Sequence, residues 1–110
     1  MTAPDFSGWP ETTEHRTRYS IDRHVWVDML RVFPGLGSCA LRQDELALWI
    51  KSGGVRLEPW MPGRQVAWLR RADGGWLAVV LLAAASANNA SQVTLQLWVE
   101  PDVIKTDPPA

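Results

Sequence analysis

His24 and Asp28 stand four residues apart, and Cys39 follows beyond a Pro34-Gly35 turn. An imidazole and a carboxylate at that spacing share one face of a helix and can pair. A thiol brought beside them would complete a nucleophile, base and orienting acid. Against this stands the general behaviour of lone cysteines, which are among the most buried residue types and are mostly inert. No catalytic residue is therefore expected. Two histidines and one cysteine show no paired-ligand spacing, so neither a metal nor a cofactor is expected. Gly35-Leu36-Gly37-Ser38 is glycine-rich, but no lysine follows it. It reads as a turn and not as a phosphate cradle.

Arg64, Arg70 and Arg71 flank Trp68 and Trp76, a mixture of cations and rings able to stack on single-stranded nucleic acid. Asp73 lies in the same turn, and the net charge is −1, so no global field gathers polyanions. The expectation is against nucleic acid. The nine arginines outnumber the two lysines without pointing to a partner.

The seven tryptophans are the unusual feature. Each carries one N–H that needs an acceptor, and a core of 110 residues cannot hide them all. Some are expected at the surface or at an interface. Length sets one domain. The single cysteine excludes an internal disulfide. No charged-then-apolar leader opens the chain, and its longest apolar run, Trp76 to Ala85, is half the length of a spanning helix. A cytoplasmic location with no membrane contact is expected. Asn89-Ala90-Ser91 matches a glycosylation sequon and is read as a turn.

Residues 1–18 hold two prolines and charges without period, and are expected to form an irregular arm whose large apolar groups are Phe6 and Trp9. Residues 105–110, KTDPPA, are expected to be a disordered tail. Between them, 19–104 form the domain. Ile21, Val25, Trp26, Met29, Leu30 and Phe33 trace one stripe of a helix over about 21–33. Ser20 would cap it and Pro34 end it, although Val25 and Val27 also tolerate a strand. Beyond it come short strands: Cys39–Leu41, Leu46–Ile50 (or a short helix at 43–51), Val55–Leu57, Gln65–Arg71, Trp76–Ala84 and Val93–Val99. Pro59 and Pro62 are expected to break the ladder around Trp60-Met61. Ala72-Asp73-Gly74-Gly75 is a strong hairpin signal, because glycine accepts positive φ.

Residues Trp76 to Leu82 are apolar on both faces of their strand: Trp76, Ala78, Val80 and Leu82 against Leu77, Val79 and Leu81. Such a strand must be covered twice. The helix would cover one side. The other falls either to a curling of the sheet with the N-terminal arm over it, or to a second copy or another protein.

The expected fold is α+β, one N-terminal helix on a curved antiparallel meander of five or six strands. An alternative architecture arises from Trp60-Met61-Pro62-Gly63, Trp68, Gly75-Trp76-Leu77-Ala78-Val79 and Trp98-Val99-Glu100-Pro101-Asp102-Val103-Ile104. Their order resembles the strand order of SH3- or Tudor-like small barrels, with Pro101–Val103 as the short turn before the last strand. The expected function is a small non-enzymatic interaction or assembly module, self-associating or binding another protein. Accessory, immunity and virion proteins share this profile. Binding is expected at a sheet face formed by Trp49, Arg56, Trp60, Gln96 and Trp98, since tryptophan and arginine are enriched at hot spots. Two rivals are a small-molecule or catalytic pocket between helix and sheet near His24, Trp26 and Cys39, and a nucleic-acid surface on Arg64, Arg70 and Arg71.

Overall fold

The computed structural model describes residues 4–11, 14–36 and 46–109. Among these described residues five strands form one antiparallel sheet: β1 (Arg18–Asp28), β2 (Trp60–Arg70), β3 (Trp76–Ala85), β4 (Gln92–Val99) and β5 (Ile104–Lys105). Their spatial order is β4-β3-β2-β1-β5. Among the described residues of the β1–β2 connection are two short helices, α1 (Met29–Val32) and α2 (Leu48–Gly53). A 3₁₀ turn, Pro101–Val103, links β4 to β5.

The expected helix over 21–33 is instead a strand followed by a single helical turn. Tyr19, Ile21, Val25, Trp26 and Val27 are β-branched or aromatic, and such side chains fit a pleated surface better than a helix. Val25, Val27 and Met29 are fully buried at every second position. Arg23 continues that alternation inward and hides it from a hydrophobicity count. Over Leu46–Ile50 the strand gives way to the rival reading of a short helix, α2, which runs a little later in the chain than 43–51. Val55 makes an isolated bridge to Ser86 in place of a strand with Leu57. Pro62 sits inside β2 without breaking it, because residues 60–63 pair with β1 alone and the missing N–H falls on a free edge. Lys105, at the start of the expected tail, pairs with Trp26. Cys39–Leu41 and the turn after them lie outside the described residues.

The expected hairpin forms as read. Gly74 takes φ 93°, Arg71 N–H donates to Gly75 O at 2.8 Å, and Gly75 N–H donates to the Asp73 carboxylate at 3.0 Å. At the β3–β4 turn Asn89 takes φ 61°, a conformation asparagine tolerates.

The sheet is rolled. Laid flat, β4 and β5 would stand about 19 Å apart at ~4.8 Å per strand. The link between Val99 and Ile104 contains three residues in 3₁₀ geometry and reaches only about 13 Å. Crossing it therefore requires the sheet to curl, with Val103 buried in the concave core beside Val25, Val27, Met29, Ala78, Val80 and Leu82. Arg31 of α1 clasps the crossing through the Asp102 carboxylate at 2.9 Å.

The convex side of β3 has its own small core. Ala67, Leu69 and Val79 are buried there, with Phe6 of the N-terminal arm packed over them. So the strand that is apolar on both faces is covered by the curl of its own sheet on one side and by the arm on the other. The arm is held by the Arg18 guanidinium, which donates to Trp9 O and stacks 4.9 Å from the Phe6 ring. Trp9 Nε1 donates to Thr17 Oγ1 at 3.0 Å, and Glu11 accepts from Ser20 N–H.

Candidate functional site: an aromatic hollow at one end of the sheet

Register errors of one residue create the site. Gln65 pairs with Val80 but Ala67 pairs with Val79, so β2 carries an extra residue opposite β3. A matching shift separates Ser20 and Arg23 on β1. A bulge turns every later side chain to the opposite face. Before it, Met61, Gly63 and Gln65 share the concave side with Val25 and Val27. After it, Ala67 and Leu69 join the convex core and Trp68 swings into the concavity.

Cross-strand pairing then gathers the rings. Tyr19 pairs with Trp68, Trp68 with Ala78, and Arg70 with Trp76. The Tyr19 and Trp76 rings lie 5.6 Å apart and tilted, and Trp68 meets Trp76 edge-on at 6.3 Å. Both geometries are the favourable ones for aromatic quadrupoles. With Ser20, Ile21 and Pro101 these rings line an open hollow of about 640 Å³. All three rings are half-buried, so each presents surface to the hollow.

Each ring already carries a guanidinium. Arg16 lies 4.3 Å from the Tyr19 centroid, Arg70 4.6 Å from Trp76, and Arg23 5.7 Å from Trp68. Arg16 is also bridged to Glu11, and Arg23 donates to Gln65. Among the described residues no carboxylate comes within ion-pair distance of Arg70. The hollow is thus apolar inside, with three guanidinium groups against its rings and the Glu11 carboxylate beside Arg16 and Ser20.

The five residues expected to form one binding face do not converge. Trp49 lies on α2 with 75% of its surface exposed. Arg56 ties the neighbouring segment to the β3–β4 turn through Ala87 O and Asn89 Oδ1. Trp60 opens β2 and is stacked beneath the Lys105 ammonium, 4.7 Å away, toward the other edge of the sheet. Only Gln96 and Trp98 meet: Trp98 Nε1 donates to Gln96 Oε1 at 3.0 Å, and both border a hollow shared with Phe6 and Trp9 of the arm.

The pocket expected between helix and sheet loses its helix, since His24 and Trp26 sit on β1. His24 packs against Trp26 edge-on at 5.5 Å, and Cys39 lies outside the described residues. The arginine trio is divided. Arg64 grips Asp22 in a two-pronged contact, its Nη2 at 2.6 Å, and holds that carboxyl below its usual range. Arg71 bridges Asp73 and Glu100. The Asp73 carboxyl is also lowered, first by the Gly75 N–H. Among the described residues no three metal-type side chains cluster, and no helix is long and apolar enough to cross a membrane.

Tyr19 was not among the sequence candidates, Pro101 was read only as part of a turn, and Trp68 and Trp76 were weighed only as a nucleic-acid surface or as core. The legible signal was the pair of tryptophans flanking the Asp73-Gly74 turn, with Arg70 and Arg71 between them. No protein-family model matches the chain, and no curated protein or solved structure is significantly similar to it. What the fold and hollow define is a small rolled antiparallel sheet with a ring-lined, arginine-bearing mouth.

Proposed function

We propose that this domain is a non-enzymatic protein-interaction module of SH3-like small-barrel architecture. Its hollow takes an extended, proline-bearing segment of another protein, with an acidic residue beside the proline. The strand order, with a 3₁₀ turn before the last strand, supports the architecture. The observation that carries the function is the convergence of Tyr19, Trp68, Trp76 and Pro101 on one apolar hollow. Rigid rings give large contact area at small entropic cost. A polyproline II segment is already extended and loses little freedom on docking into such a groove.

The rim selects the charge. Arg16, Arg23 and Arg70 already occupy ring faces, so a cationic ligand meets repulsion, whereas a carboxylate beside Arg70 gains a partner. Nucleic acid is a poorer fit, because Arg64 and Arg71 are engaged by acids.

The test is a tryptophan-fluorescence titration with an Asp- and Pro-containing peptide library, against the same peptides with Lys in place of Asp. Saturable binding of acidic proline peptides is expected. Trp76→Ala removes a central ring and weakens binding by about thirtyfold, the scale of a hot spot. The reading fails if no proline-bearing peptide binds, or if Lys-containing peptides bind as well as acidic ones.

A further inference from the structure

β4 is a sheet edge of a kind that folded proteins seldom leave bare. It has β3 on one side, and among the described residues no backbone partner on the other. Edge strands are ordinarily blunted by charge, proline, bulges or brevity. β4 reads Gln92-Val93-Thr94-Leu95-Gln96-Leu97-Trp98-Val99: eight residues, no charge, no proline and an unbroken register with β3. β1 and β2, by contrast, carry charges along their length, and the opposite edge, β5, is only two residues long.

The second observation concerns side chains. Leu95 and Leu97 belong to the concave core but stay half-buried, because no strand lies beyond them. Val93 is 54% exposed and Trp98 50% exposed, on opposite faces of the same strand. The apolar layer therefore runs out to the edge and stops there.

We infer that β4 pairs with β4 of a second copy, antiparallel and about a two-fold axis, joining two sheets into one. The occupant is a second copy because the strand is complementary to itself. A two-fold pairing keeps each side chain on its own face. Centred on Gln96, it sets Gln96 against Gln96 and Thr94 against Trp98 on the convex face. On the concave face it sets Leu95 against Leu97 and Val93 against Val99. Apolar meets apolar, amide meets amide, and the absence of charge means that no like charges are brought opposite one another. The ring-lined hollow is built from residues of β1, β2, the start of β3 and the 3₁₀ turn, and no β4 side chain lines it.

The experiment is light scattering on the intact chain, coupled to size-exclusion chromatography. A dimer is expected for the native sequence. Gln96→Lys, at an exposed position, sets two ammonium groups across the axis and weakens the dimer by about tenfold or more. Circular dichroism and the thermal midpoint check that this variant still folds. In a Cys39→Ser background, Gln96→Cys is expected to form an intermolecular disulfide under mild oxidation, as directly opposed residues lie within disulfide reach. Trp49→Cys in the same background is expected to remain monomeric on a denaturing gel. A native chain that stays monomeric at its highest soluble concentration overturns the proposal. So does a dimer indifferent to Gln96→Lys, or a Gln96→Cys variant that cross-links no better than Trp49→Cys.

Discussion

The Arg23 guanidinium donates from Nε to the Oε1 of Gln65 at 2.8 Å, and Gln65 is fully buried. Gln65 Nε2 donates in turn to Ala67 O at 3.2 Å, inside the bulge of β2. An interior amide with both ends satisfied is stabilising only while its partners remain, since a buried acceptor left alone costs its full desolvation. Arg23→Ala is therefore expected to destabilise the fold by about 1–3 kcal/mol. The double variant Arg23→Ala/Gln65→Leu should recover part of that loss, because it removes the orphaned acceptor along with its donor. Urea unfolding of these two variants and of Gln65→Leu measures this, and strictly additive losses would count against the coupling.

This pair also explains where sequence reasoning succeeded and failed. β3 and β4 were legible because their apolar patterns are long and the Asp73-Gly74 turn fixes the hairpin before them. β1 was not, because its inward set includes Arg23, a charge that is acceptable there only because Gln65 waits on the next strand. With Arg23 counted as polar, Ile21, Val25, Trp26, Met29 and Phe33 imitate a helix stripe. The hollow was illegible for a related reason. Tyr19, Trp68 and Pro101 are far apart in sequence, and Trp68 faces the concavity only because a bulge inverts the alternation of β2. A tertiary hydrogen bond and a register shift leave no trace in local periodicity.

Phe6 is the convex lid over Ala67, Leu69 and Val79. Its ring is half-buried, so Phe6→Ala is expected to cost about 1–2 kcal/mol, less than a full core truncation. The same change uncovers an apolar patch on β2 and β3. Increased binding of an apolar dye at native temperature, alongside a lower urea midpoint, is the expected signature. An unchanged midpoint would mean that the arm merely rests on the sheet.

Gly63 lies close under β3, just before the β2–β3 pairing begins at Arg64. A Cβ there would stand 2.9 Å from Val80 Cγ1 and 3.1 Å from Leu81 O. The methyl group has no room without moving β3 backbone, so Gly63→Ala is expected to destabilise by about 1–3 kcal/mol, the range for overpacking. Gly8 provides the control, as nothing lies within 4 Å of an added Cβ there. Thermal midpoints of the two alanine variants should separate clearly, with Gly8→Ala close to the native value.

The Asp22–Arg64 contact across β1 and β2 makes an acid-sensitive clasp. The Arg64 hydrogen bonds lower the Asp22 pKa from its ordinary 3.8, and the charge of Arg64 adds to the effect. Because the folded pKa is the depressed one, the stabilisation is complete above the ordinary carboxylate value and disappears as pH falls through the folded value. Both side chains are well exposed, 59% and 65%, so added salt should shrink the shift. A carboxyl-carbon NMR titration is expected to place the Asp22 midpoint below 3.8 in the native chain and to return it upward in Arg64→Gln. The difference in stability between the two proteins should likewise be present at neutral pH and close in strong acid. An Asp22 midpoint that ignores Arg64→Gln would show that the contact is too solvated to hold the carboxylate.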